Sequence, residues 1–421
     1  MDNLSTDKTD LASHPRWLWW VAGLMMANGT YGLTVIGVLI KPLEHLWHLG
    51  AVPEAMLASA ALAGTAVGSL VAGVAGDRFG RRRVMLVSAA VMVVATALSA
   101  AVLTYPVLAT SRFVLGMGLG ADFAVMLPYV GELAPKLSRG ALMVLVMWVG
   151  DLGQLLAYGS GFVVSGETAV RLVLAFGGVF LLPTLWFRLR MPESPRWSGP
   201  SLVRTISREL ARNNRAALTR SAAPWFLHQF SAQGLGVFLP LLLVALGSGS
   251  GHLGSVGTKA LSLVAAIFTI RLVESWGRRP LQIWGFSLRG LALVFLGAGV
   301  IVSTSLPAYW SLSLVGIVMA AGAFGPDKTT VVVAAEVLGT GVRTTGQGVC
   351  ETIGRLGGAL GVFVVGLLLA DGQLALAILL MGAAALAGAW VSYRWTPETR
   401  GEELPETRKG ATTSAAVGLT Q

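Results

Sequence analysis

Cysteine is nearly absent. Cys350 stands alone, which excludes an internal disulfide. Charge is scarce as well: Asp, Glu, Lys and Arg make up 12% of the 421 residues, about half the share found in a soluble chain. No Walker A loop occurs, so no ATP-driven step is expected, and no nucleophile–base constellation points to an enzyme. The five histidines are scattered. His45 and His48 share a helical spacing but lack a third ligand, so no metal and no cofactor is expected. Residues 1–16 are polar and hold Asp2, Asp7 and Asp10. The first apolar run is too long for a signal h-region and is expected to stay as the first helix. The polar, Leu-poor composition of a disordered chain is missing too.

What is present is apolar. Hydrophobic residues are 54% of the chain, and 53 glycines suit helices whose backbones approach closely. Twelve stretches are long enough to cross a bilayer or nearly so: 17–40, 56–75, 84–104, 107–130, 141–163, 168–188, 224–247, 257–272, 281–303, 309–334, 346–370 and 373–393. Lys and Arg cluster after the even-numbered stretches: Arg78, Arg81, Arg82 and Arg83, then Lys136 and Arg139, a run from Arg188 to Arg220, and Arg278 with Arg279. The opposite loops hold little beyond Lys41 and Lys259. By the positive-inside rule, both termini face the cytoplasm of a multi-pass plasma (inner) membrane protein. The net charge of +10 is thus a topogenic signal. Nucleic-acid binding would need the basic residues on one folded face with aromatics between them, and it is not expected.

Three charged motifs each occur twice. Gly73-Val-Ala-Gly76-Asp77-Arg78-Phe-Gly80-Arg81-Arg82 matches Glu274-Ser-Trp-Gly277-Arg278-Arg279 at an offset of 197. Glu132 and Arg139, seven apart, match Glu336 and Arg343 at an offset of 204. Pro192-Glu193-Ser194 matches Pro397-Glu398-Thr399 at 205. Near-constant offsets point to a duplicated half, the pattern of a carrier that rocks two bundles about a central site. The expected organisation is an N-terminal segment 1–16, a six-helix bundle 17–190, a cytoplasmic loop 191–223 with a surface helix near 200–218, a second bundle 224–396, and a cytoplasmic tail 397–421 whose end is disordered.

With PESPR at 192–196 and PETRG at 397–401, these motifs resemble the major facilitator superfamily, in its sugar-porter and metabolite:proton symporter branch. Gly116-Met-Gly118-Leu-Gly120-Ala-Asp122 and Phe324-Gly325-Pro326-Asp327-Lys328-Thr329-Thr330 are similar to helices 4 and 10 of its anion symporters. The resemblance implies an all-α membrane protein of twelve transmembrane helices in two pseudo-symmetric six-helix bundles. It further implies a secondary active transporter that moves a small metabolite, an organic anion among the options, by alternating access with protons. Where such symporters carry Asp-Gly-x-Asp on helix 1, this chain reads Asn28-Gly29-Thr30-Tyr31. In the second turn, Ile270 and Ser275 replace the leading Gly and first Arg.

Ionisable residues at mid-bilayer are functional candidates by default. Asp122 lies ten residues before Glu132, about 15 Å deep, and is the leading proton carrier; the alternative is a neutral Asp in helix packing. Asp327 is nearly its repeat partner, and Gly325-Pro326 should interrupt helix 10 there. Lys328 is the candidate for attracting an anion, with a structural ion pair as the alternative. Neighbours on a helix diverge by about 100°, so only one of Asp327 and Lys328 should face the cavity. Asp151 should pair with a cation across the cavity or serve as a second proton site. Arg112 is three turns from Asp122, Arg289 looks structural, and Glu351 should pair with Arg355 four residues on. Gln154, Gln229 and Gln233 could hydrogen-bond substrate, and Trp148 and Trp225 could stack on it; packing is the plainer reading for each. The Gly116-x-Gly-x-Gly run reads as close helix packing.

Gly73, Asp77, Gly80, Arg81, Glu132, Arg139, Glu193 and Arg196 should form one half of a cytoplasmic gate, and Glu274, Arg278, Glu336 and Arg343 the other. The bland alternative is topogenic anchoring alone. The function expected is symport by a monomer with a small molecule, protons and the bilayer as partners. The alternatives are proton-coupled metabolite efflux and a non-transporting nutrient sensor.

Overall fold

The computed structural model describes residues 17–102, 104–164, 166–197, 210, 214–247, 251–302 and 307–405. The first half holds α1 (Trp17–Trp47), α2 (Ala51–Phe79), α3 (Arg81–Ala101), α4 (Tyr105–Leu133), α5 (Arg139–Ser160) and α6 (Gly166–Arg188). The second holds α7 (Arg215–Ala245), α8 (Gly251–Leu272), α9 (Arg278–Val302), α10a (Ala308–Phe324), α10b (Pro326–Val337), α11 (Arg343–Ala370) and α12 (Leu374–Trp395). Counting α10a and α10b as one, twelve described helices are long and apolar enough to span a membrane. Side chains such as Val87, Leu172, Trp284 and Phe295 are exposed on the flanks, as a lipid-facing surface requires.

The sequence repeat is visible in the backbone. Gly80 between α2 and α3 and Gly277 between α8 and α9 share a φ of 99°. Short 3-10 turns at Lys136–Ser138 and Thr340–Val342 lead into α5 and α11. Pro326 opens α10b at a position where its missing N–H is not needed. The break leaves carbonyls of α10a without helical partners, and Thr269 Oγ1 of α8 donates to Phe324 O (2.7 Å) and Ala323 O (3.2 Å).

The halves meet along two seams, α2 against α11 and α5 against α8. Small residues make the α2–α11 seam close: a Cβ on Gly348 would lie 2.3 Å from Ser69 O. Within the first half, α4 presses on α2, and a Cβ on Gly120 would sit 2.1 Å from Thr65 O. Gly116 and Gly120 of the Gly-x-Gly-x-Gly run therefore meet α2 backbone to backbone, and Gly118 makes room for Met92 of α3.

Three boundaries differ most from the sequence expectation. α1 runs on to Trp47 and carries an exposed Lys41–Glu44 pair. α7 begins at Arg215, inside the segment read as loop. α8 begins at Gly251, so Lys259 is a buried helix residue and not a loop charge. Apolar runs end at the first polar side chain, whereas backbone hydrogen bonding carries the helix past it. The surface helix read near 200–218 falls mostly outside the described residues, as does the tail beyond 405.

Gly120→Val should force α2 and α4 apart. A destabilisation of about 1–3 kcal/mol is expected, read as a lower melting temperature in detergent.

Candidate functional site

A cavity of about 210 Å³ lies between the halves. α7 turns one face to it: Trp225, His228, Gln229, Ala232, Gln233 and Gly236, at helical spacing. α5 contributes Met147, Asp151, Gln154 and Tyr158, α1 contributes Thr30, and α4 contributes Phe123 and Leu127. The C-terminal half adds Lys259, Arg289, Asp327, Lys328, Glu351 and Arg355.

The charges there form a chain. Lys259 Nζ is 3.0 Å from Asp151 Oδ1, and Lys328 Nζ is 2.7 Å from Asp151 Oδ2. Lys328 also reaches Asp327 Oδ2 at 2.7 Å, and His228 Nε2 lies 3.4 Å from Asp327 Oδ1. His228 stacks on Trp225, with ring centroids 5.5 Å apart. Lower in the cavity Glu351 and Arg355 pair at 3.7 Å, and the Arg355 guanidinium sits 5.0 Å from the Phe123 ring centroid across the bundle boundary. Asp151 belongs to the first half and both lysines to the second, so the chain ties the halves together through buried ion pairs.

Several expected positions are placed elsewhere. Asp122 does not line the cavity. It is fully buried, paired with Arg188 Nη1 at 2.6 Å and facing Ser88 of α3. Its depth follows from the helix rise, but its side of α4 is turned toward α3 and α6. Trp148 also misses the cavity and donates from Nε1 to Leu263 O at 3.0 Å. Asp327 and Lys328 both reach the cavity, contrary to the 100° rule, because the long lysine stem curls back to its neighbour. Arg112 donates to Gly32 O and does not meet Asp122. Arg289 is held by Ser231 Oγ (3.1 Å) and Val318 O (3.0 Å), yet it borders the cavity. Gln154, Gln229 and Gln233 line it as read. Sequence reading missed Lys259 and His228. The available signals were a lysine within an apolar run and a histidine on the polar stripe of α7.

At the basic end of the molecule the two halves are locked. Asp77 at the end of α2 accepts from the first N–H groups of α11: Thr345 N at 2.8 Å and Thr344 N at 3.3 Å. Glu274 after α8 does the same for α5, through Gly140 N (2.7 Å) and Ala141 N (3.2 Å). Each carboxylate thus caps a helix of the opposite half, where the dipole favours negative charge. Each is also paired with its own arginine, Asp77 with Arg81 (3.2 Å) and Glu274 with Arg278 (2.7 Å). Those arginines reach the last-turn acids: Arg81 to Glu132 (3.1 Å) and Arg278 to Glu336 (2.8 Å). Ser194 and Thr399 donate to Glu132 and Glu336, each at 2.5 Å. Glu193 takes the N-termini of α3 at Arg81 N (2.9 Å), and Glu398 those of α9 at Arg278 N (3.0 Å). Gly80 is required twice over, by its φ of 99° and by Glu193 Oε2, which would lie 2.4 Å from a Cβ. Gly73 lets α2 lie against Thr344 O.

The two copies then diverge. Arg343 crosses to Glu132 at 2.9 Å. Arg139, its counterpart, donates to Glu402 O at 3.3 Å and leaves Glu336 to Arg278. Arg196 is half-buried, with its backbone N–H on Ser194 Oγ.

Residues 50–204 and 202–410 match the family described as sugar (and other) transporter. The chain belongs to that family. It is a major facilitator superfamily transporter, not an enzyme. It is 27% identical to a probable inorganic phosphate transporter, 1-9, of Arabidopsis thaliana, over 92% of this chain and 91% of the relative. It is 26% identical to the inner membrane metabolite transport protein YgcS of Escherichia coli, over 90% of each. The fold is shared with the proton:xylose symporter XylE bound to 6-bromo-6-deoxy-D-glucose: the TM-score is 0.81 at 20% identity, over 92% of the transporter and 97% of XylE. Among the described residues, no group of three or more His, Cys, Asp or Glu is placed to hold a metal ion.

Glu132→Gln would strand buried Arg343, which has no other carboxylate partner among the described residues, while Arg81 keeps Asp77. A loss of roughly 3–5 kcal/mol is expected, measured as thermal denaturation in detergent. Glu336→Gln should be milder, because Arg278 keeps Glu274.

Proposed function

We propose that this transporter is a proton-coupled symporter for a small metabolite, an organic anion, working as a monomer by alternating access. The observation that carries the reading is Asp151 of one bundle ion-paired with Lys259 and Lys328 of the other inside the cavity. An acid at that place serves proton coupling directly. When Asp151 takes a proton, the tie between the bundles weakens, buried Lys259 loses its carboxylate partner and Lys328 is left with Asp327 alone. Asp327, held by Lys328 and His228, is a second acid within reach of the same change. Asp122 is not proposed for this role, since Arg188 holds it away from the cavity. Gln154, Gln229 and Gln233 supply hydrogen bonds for the rest of the cargo.

The basic end is proposed to face the cytoplasm, with both termini, in a plasma or inner membrane. There the Asp77 and Glu274 caps and the Arg343–Glu132 pair act as a gate, made in the conformation described and broken when the bundles rock. The relatives' names, a metabolite transport protein, an inorganic phosphate transporter and a proton:xylose symporter, agree with a small polar cargo.

Proteoliposomes with an imposed pH gradient test the reading, after a thermal-shift screen of carboxylates, sugars and amines has found a cargo. Inward proton flow should concentrate it. Coupling of opposite sign would mean export, and no flux would mean a sensor. Asp151→Asn should abolish concentrative uptake and keep exchange; unchanged proton-driven accumulation rejects Asp151 as the carrier. Asp77→Asn removes a charge from the α11 cap, an interaction of about 1.5–3 kcal/mol, and should slow uptake roughly tenfold with insertion intact. Normal uptake by that variant removes the gate role.

A further inference from the structure

We infer that the Asp151 carboxylate occupies the seat of the cargo's own oxyanion group, so that the cargo is a carboxylate- or phosphate-type anion that replaces Asp151 between Lys259 and Lys328. The inference rests on the symport reading above and deepens it.

The geometry is that of a bound ligand. Asp151 offers one oxygen to each lysine, Oδ1 to Lys259 at 3.0 Å and Oδ2 to Lys328 at 2.7 Å. Both ammonium groups are buried, with side-chain exposures of 5% and 2%. Both belong to the second bundle, and only the carboxylate comes from the first. Lys328 has a resident partner as well, Asp327 on its own helix. Asp151 is the sole carboxylate partner of Lys259 among the described residues. Removing Asp151 therefore leaves an anion-shaped vacancy in one bundle, on the wall of a cavity already large enough for a small molecule. Two buried cations sharing the single carboxylate of Asp327 carry one uncompensated charge, so an external oxyanion is drawn to the same two nitrogens.

The charges around Asp151 also set a balance. α8 presents Lys259, α10b presents Lys328 and Asp327, and α7 presents His228 behind Asp327, while α9 adds Arg289 and α11 the Glu351–Arg355 pair to the same cavity. α1 and α5 bring the neutral Thr30 and Gln154. Lys259, Lys328, Asp151 and Asp327 sum to zero with His228 neutral. A proton on Asp151 makes the sum +1, and a monoanion between the lysines restores zero. One proton then travels with one negative charge.

The test is rescue of a deleted charge by salt. Full-length protein carrying Asp151→Asn is purified in detergent and melted in sodium acetate, sodium phosphate or sodium chloride at matched ionic strength. Acetate or phosphate should raise its melting temperature over chloride by about 3 °C or more, while wild type melts alike in all three. Acetate alone acting assigns a carboxylate cargo, and phosphate alone a phosphate-type one. Adding Lys259→Gln to Asp151→Asn should remove the effect. Where Asp151→Asn is too unstable to melt cleanly, the yield of folded protein purified in acetate against chloride reads the same rescue. Equal melting of Asp151→Asn in the three salts overturns the seat, as does an equal rise in wild type. Proton-driven uptake by wild type without rescue of the variant overturns the seat and leaves symport standing. Rescue without proton-driven uptake keeps the seat and removes the coupling.

Discussion

A charge shut away from water must find a partner, and in this transporter the partners stand on opposite sides of a moving boundary. That constraint orders much of the structure. Lys259 and Lys328 reach across to Asp151, Arg343 reaches across to Glu132, and Asp77 and Glu274 reach across to the helix ends of the other bundle. None of these contacts can survive a large rotation of the bundles. Each is therefore both a source of stability in one conformation and an obstacle to the next. Buried pairs of this kind suit a switch: their net contribution is small, but the penalty for leaving one member unpaired is large.

The rim and the cavity obey the duplication differently. At the rim the two copies agree almost contact for contact, down to Ser194 and Thr399 donating to equivalent glutamates. Backbone geometry enforces this, because a glycine at φ 99° followed by a helix N-terminus leaves one place for a carboxylate. In the cavity the copies share little. The lysines, the histidine and Asp327 all come from the second half, and Asp151 alone answers from the first. No repeated backbone turn fixes a carboxylate in the cavity as one does at the rim, so nothing holds the site to the repeat.

Much of this was legible in order along the chain. The twelve apolar runs, the repeated turns and the acids at helix ends are local patterns, and hydropathy and the rise per residue convert them to spans and depths. That arithmetic places Asp122 well inside its helix. It does not give the direction of the side chain, because rotation about the helix axis depends on which neighbours press on α4, and Arg188 of α6 lies sixty-six residues away. Trp148 failed in the same manner. Lys259 was mistaken for a loop charge because its partner, Asp151, is a hundred and eight residues distant and no window contains both.

What the amino-acid order alone determined is the class of molecule: the count of spans, the two-fold repeat, and the lattice of acids and arginines at one end. These rest on short-range rules of hydrophobicity, turn geometry and helix capping, which act within a few residues. Tertiary structure decided which of the buried charges face one another, and hence which acid ties the two halves together inside the cavity. Pairing energies depend on distances across helices, and those distances exist only once the bundles have packed.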